Sequence, residues 1–228
     1  MRRTQIVALL VVLALAVAMV PAFAADIVGM PVGNLPKAGN VEFNYIYWRE
    51  PVPGLSHIGV AEVYYGITDQ LEINTLTFAA QGRGTETELN VSYAVLPETA
   101  QKPSLIVGAT NLAEKGARAL PGQAAPNAKV SPFALSAYNV MVPQGGPPSL
   151  TNPLIRLHLG YGSEMHADKV FGGVQFLVDP HLGGAILNYQ GQPAYMLTLM
   201  PKPGVPLEIT GGTLQGEKFL RVGYVWTR

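Results

Sequence analysis

From about residue 40 onward, apolar and polar residues take turns along the chain. A period of two sends successive side chains to opposite faces of an extended backbone, the mark of a strand with two different surroundings. The clearest case has Thr87, Leu89, Val91, Tyr93 and Val95 on one face and Glu86, Glu88, Asn90, Ser92 and Ala94 on the other. Further on, Ile155, Leu157, Leu159 and Tyr161 oppose Arg156, His158 and Gly160, and Leu220, Val222, Tyr224 and Trp226 oppose Arg221, Gly223 and Thr227. Near the start, Phe43, Tyr45 and Tyr47 oppose Glu42 and Asn44. About twelve such segments, each roughly ten residues long and bounded by Gly, Pro, Asn or Asp, read as strands. They begin near Asn40, Ser56, Gln70, Glu86, Pro103, Ser131, Pro153, Lys169, Leu182, Gln192, Val205 and Glu217. The fifth and eleventh are ambiguous, so a count of about ten stays open. A short helix between Asn111 and Leu120 is only weakly patterned.

Strand length narrows the fold. Globular strands run to about five or six residues, whereas a tilted strand crossing a bilayer needs about nine to eleven. The reading is therefore an all-β fold: a closed antiparallel up-and-down transmembrane β-barrel of about 10–12 strands over residues 40–228. An even strand number returns both termini to one side, with short turns there and long loops on the other. Gly66 to Asp69, Pro97 to Lys102, Asp179 to His181 and Pro201 to Gly204 fit the short group, and Leu112 to Val130 the long one. Pro143 to Asn152 is long yet falls among the short turns.

The N-terminus has a separate pattern. Met1-Arg2-Arg3 is followed by an uncharged run from Ile6 to Val20 and then by Pro21-Ala22-Phe23-Ala24. A basic start, an apolar core and a small-x-small site form the layout of a cleavable export signal. Residues 1–24 are read as that signal and 25–39, rich in Gly and Pro, as an extended lead-in. With no cysteine in the chain, a lipid-modified N-terminal cysteine, a disulfide scaffold and thiolate metal sites are all excluded.

Charge sharpens the picture. Beyond Ala24 lie 13 basic and 15 acidic residues, a net charge of −2 that gives no reason to expect nucleic-acid binding. Those charges make up roughly 14% of the remaining chain, against about 25% in soluble domains. A barrel whose outer band faces lipid has no need of that missing charge.

Alternation alone does not say which way the apolar face points. In a soluble barrel it lines a ligand cavity; in an outer-membrane barrel it faces lipid. Aromatics near segment ends (Tyr45, Tyr47, Trp48, Tyr64, Tyr65, Tyr161, Tyr189, Tyr195, Tyr224 and Trp226) suit interfacial girdles. The opposite faces hold Glu, Asn, Arg, Gly and Thr, which suit a watery lumen better than a dry core.

Two stretches also resemble a known group. Tyr64-Tyr65-Gly66-Ile67-Thr68-Asp69-Gln70-Leu71-Glu72-Ile73 resembles the recurring turn of bacterial outer-membrane β-barrels. Phe176 to Trp226 is similar in layout to the final hairpins of small porin-like barrels, including the YjbH-like group linked to exopolysaccharide export. The resemblance implies residence in the cell outer membrane of a Gram-negative-type bacterium. It also implies outer-membrane lipid and the barrel-assembly machinery as partners, and small solutes as candidate cargo. Such barrels usually end in an aromatic residue, whereas here Thr227 and Arg228 follow Trp226.

Catalytic signals are weak, and no cofactor is implied. His158, Glu164, His166 and Asp168 lack the helical i, i+4 spacing of a zinc protease motif. No Gly-x-Ser-x-Gly elbow occurs, and no spacing singles out a serine to pair with His158. Asn90-Val91-Ser92 matches a glycosylation pattern but lies inside a strong strand. The lumen-lining candidates are Glu42, Asn44, Glu62, Glu72, Asn74, Glu88, Asn90, Arg156, His158 and Arg221. Either they line a narrow aqueous path, with Glu88 and Arg156 facing water, or they pair with one another and plug the barrel. The expected role is a narrow channel or an envelope structural protein without catalysis; the alternative is a soluble periplasmic or secreted β-protein that binds a ligand or partner.

Overall fold

The structure is a computed structural model describing residues 35–52, 55–80, 84–114, 129–163, 166, 168–189, 191–201, 205–214 and 216–226. The export signal and the first part of the lead-in lie outside these residues. Twelve strands follow in order: β1 (Val41–Val52), β2 (Leu55–Thr68), β3 (Leu71–Ala80), β4 (Gly84–Leu96), β5 (Ser104–Thr110) and β6 (Ser131–Met141), then β7 (Leu154–Gly162), β8 (Lys169–Asp179), β9 (Leu182–Tyr189), β10 (Gln192–Leu199), β11 (Leu207–Leu214) and β12 (Glu217–Trp226). Each pairs antiparallel with its sequence neighbours, and β1 pairs with β12, with Val41 opposite Trp226, so the sheet closes on itself. Closure removes the free sheet edges that an open sheet would present. Of the weakly patterned helix, only residues 111–114 are described; they are irregular, with positive φ at Asn111 and Glu114.

With both strand termini on one side, the barrel has a termini side and a far side. The connections named from sequence lie on the sides assigned to them, with 69–70 and 180–181 the shortest on the termini side, but short connections are not confined to that side. On the far side only two or three residues separate the strands at 53–54, 81–83, 190–191 and 215–216, whereas the 111–130 connection is long. The longer turns 97–103, 142–153 and 200–206 lie on the termini side. Local hydrogen bonding shapes the 142–153 turn: Asn152 Nδ2 donates to Gln144 O, and Gln144 N to Asn152 Oδ1.

The outer face is apolar. Phe43, Tyr65, Tyr93, Tyr224 and Trp226 lie exposed towards the termini side, and Tyr47, Tyr161 and Tyr195 towards the far side. Leu157, Leu159, Val174, Ile186, Leu197 and Leu220 are exposed on the strands between them. Trp48, Tyr64 and Tyr189, read from sequence with the girdle aromatics, instead point inward; Trp48 and Tyr189 are fully buried. Their positions in the alternation put them in phase with Asn44, Glu62 and Leu187, and phase overrides residue type.

Candidate functional site

The closed sheet encloses an interior, and every residue singled out from sequence as lumen-lining lies in it. Glu42, Asn44, Glu62, Glu72, Asn74, Glu88, Asn90, Arg156, His158 and Arg221 are all buried. The strand directions gather them in the termini-side half: Glu42 and Asn44 open β1, Asn90 closes in on the end of β4, and Arg156 and His158 open β7. Glu88 and Arg156, expected to face water, are only 2% and 4% exposed.

Hydrogen bonds tie this half together. Asn44 Nδ2 donates to Glu42 Oε1 at 3.0 Å, and Arg221 Nε donates to Asn44 Oδ1 at 3.2 Å. Arg221 also pairs with Glu42 and Glu208, each at 3.5 Å, so one guanidinium bridges β1, β11 and β12. Gly223 makes room: a Cβ there would collide with Asn44 Oδ1. Across β3 and β4, Asn74 Nδ2 donates to Glu72 Oε1 at 2.8 Å, and Asn90 Nδ2 to Asn74 Oδ1 at 2.7 Å. Asn90 Oδ1 then accepts the backbone N–H of Asn111 at 2.7 Å.

A second group forms around β7. Arg156 pairs with Glu98, which reaches in from the 97–103 turn and also accepts the Asn139 N–H at 2.9 Å. His158 Nε2 lies 3.1 Å from Gln175 Oε1. Glu98, Gln175 and Glu208 were missed in the sequence; Glu98 lies in a turn and Gln175 and Glu208 in irregularly patterned strands, so alternation did not mark them. The acids Glu42, Glu62, Glu72 and Glu88 share the contiguous wall β1–β4, while Arg156 and His158 stand on β7, half a barrel away in strand order. Among the described residues, Glu88 Oε2 and His158 Nδ1 have no hydrogen-bond partner.

The far half is different, and it corrects the expectation of a polar interior throughout. Ile46, Trp48, Ile58, Val60, Phe78, Phe133, Leu135, Phe171, Leu187, Tyr189, Met196 and Phe219 form one buried apolar cluster, which Ala94 and Ile106 extend to the termini side. Trp48 and Phe219 meet with ring centroids 6.2 Å apart. His166, from the 163–168 connection, sits among Phe133, Phe171 and Tyr189, with centroids 5.6–6.0 Å away. Its Nδ1 is 2.9 Å from the Tyr189 hydroxyl, and the bare backbone of Gly162 lets the ring approach. Burial among these rings pulls the His166 pKa down to about 4, so the ring is neutral near pH 7. His158 and His166 therefore occupy separate layers, and among the described residues no group of three or more His, Asp or Glu is placed to hold a metal ion. Glu164 lies outside those residues.

No family model matches the chain, and no curated protein matches it in sequence. Among solved structures it is similar to a KdgM porin, at 12% identity and a TM-score of 0.52, covering 83% of this chain and 99% of that one. It also aligns with the N-terminal β-barrel domain of Pseudomonas aeruginosa OprF, at 11% identity and a TM-score of 0.26, over 84% of this chain and 100% of that one. The first likeness supports the barrel fold; the second is too distant in shape to add to it.

Proposed function

We propose that this chain is an outer-membrane barrel of the bacterial envelope whose interior is sealed at rest, a membrane-spanning structural element without catalysis rather than a standing open pore. The apolar outer face, with aromatics towards both ends, supports lipid as its surroundings: exposed Leu, Ile and Val on most of the strands would aggregate in water. The observation that carries the sealed state is the filling of the interior. An aqueous pore leaves its lining side chains in contact with solvent, but here polar and apolar lining residues alike are buried. Barrels of about eight strands are filled by side chains and those of about sixteen hold a channel, and this one follows the smaller pattern.

The test is membrane fractionation with a carbonate wash, gel migration of boiled against unboiled samples, and conductance in planar bilayers. Resistance to carbonate, heat-dependent migration and no steady conductance are expected. Release by carbonate would overturn the membrane assignment, and stable open steps the sealed one. A narrow channel for small solutes is the second reading, favoured by the polar, charged termini-side half. Membership of the YjbH-like group, and with it a link to polysaccharide export, rests on the layout of Phe176 to Trp226.

A further inference from the structure

The described end of the lead-in does not trail away from the barrel. Asn40 still pairs with the end of β2: Gly66 N donates to Asn40 O at 3.1 Å and Gly39 N to Gly66 O at 2.8 Å. The chain reverses there. Asn40 N donates to Lys37 O at 3.0 Å, and Gly39 takes φ +79°, a conformation that side chains with a Cβ avoid. This turn lays Pro36 and Lys37 against Gly66, which continues the inward row of Glu62 and Tyr64. A Cβ on Gly66 would collide with the carbonyl oxygens of both residues. Asp69 completes the seat, its Oδ1 accepting the Ala38 N–H at 3.0 Å, and Leu35 packs against the apolar cluster of the interior.

We infer that residues 35–40 are an intramolecular plug of the termini-side mouth, seated in a notch made by Gly66 and Asp69, which shuts the polar half of the interior from solvent. The notch explains two residues of the Tyr-Gly-Ile-Thr-Asp stretch that a tight turn alone does not require. Thr68 serves the turn itself, its Oγ1 accepting the N–H groups of Gln70 and Leu71, whereas Gly66 and Asp69 serve the lead-in. A few backbone bonds and one side chain hold the plug, and its attachment to β1 keeps it close, so it opens and recloses without unfolding the barrel. Gly66, Glu72 and Ser92 face one another across β2, β3 and β4, so Ser92 lies level with the plug. The plug closes the mouth alone, in detergent as in whatever membrane the barrel occupies.

A cysteine-free chain offers a direct test. Ser92→Cys, at a buried position, places one thiol level with the plug in the full-length protein. An impermeant maleimide, applied in detergent micelles, should label it slowly. Gly39→Val strikes only the turn, since nothing lies within 4 Å of the missing Cβ, and should raise the labelling rate by about tenfold. Gly66→Val should do the same by collision. Gly216→Val puts equal backbone strain in an open far-side turn (φ +87°) and should leave labelling unchanged. Heat-dependent gel migration verifies folding; if Gly66→Val loses the barrel, Gly39→Val decides. Fast labelling of Ser92→Cys alone, no acceleration in Gly39→Val, or equal acceleration in Gly216→Val would each overturn the plug.

Discussion

The two halves of the barrel interior solve one packing problem with opposite chemistry. The termini-side half is filled by Glu, Asn, Arg and Gln side chains held by directed bonds. The far half is filled by aromatic and branched apolar side chains with a single imidazole among them. Directed networks demand every partner, because a stranded buried charge is costly, whereas apolar packing degrades gradually as volume is removed. The comparison teaches that one barrel wall can enclose both a brittle layer and a forgiving one.

Four measurements test that contrast, each read as the temperature at which the unboiled sample loses its compact gel form. The largest effect belongs to Arg221→Ala, which removes the buried cation shared by Glu42 and Glu208 and should cost about 3–5 kcal/mol. A loss no larger than that of an apolar truncation would end the claim of brittleness. Next comes pH. His166 is held neutral by burial, its pKa depressed from the ordinary imidazole value of 6.5 to about 4, so the unfolded chain binds the extra proton between those values. Stability contributed by the neutral ring is therefore complete above pH 6.5 and lost as pH falls through about 4, by roughly 3 kcal/mol. His166→Phe should flatten that part of the pH profile; an unchanged profile would place the titration elsewhere.

Glu98→Gln should cost about 1.5–3 kcal/mol, because Arg156 loses its ionic partner while the Asn139 N–H keeps an acceptor. Raising salt should narrow the gap between Glu98→Gln and the parent only slightly, since Arg156 is buried. The smallest change is Ile58→Val in the apolar half, about 0.5–1.5 kcal/mol with no dependence on pH or salt. A larger loss there would mean that the far half is as exacting as the polar one.

Much of this architecture was legible before any coordinates. The starts read near Asn40, Ser131, Lys169, Leu182, Gln192 and Glu217 fall at or next to the observed ends of β1, β6, β8, β9, β10 and β12, because a two-residue period changes abruptly where a strand meets a turn. Alternation also placed Glu42, Asn44, Glu88 and Arg221 on the face that turned out to be enclosed. It could not assign Trp48 or Tyr189, whose residue type suggested an interface while their phase put them inside. It put the named connections on the right rims but not every short one on the termini side, since four far-side connections are only two or three residues long.

Period and turn residues act over a few neighbouring positions, so the strands, their two faces and their antiparallel order could be read along the chain. How the interior divides depends on the closed sheet. Strand direction alternates, so residues early in β1 and late in β12, 177 positions apart in the case of Asn44 and Arg221, arrive at one height. Layers across a barrel are set by register between strands, and register becomes visible only when the sheet has closed.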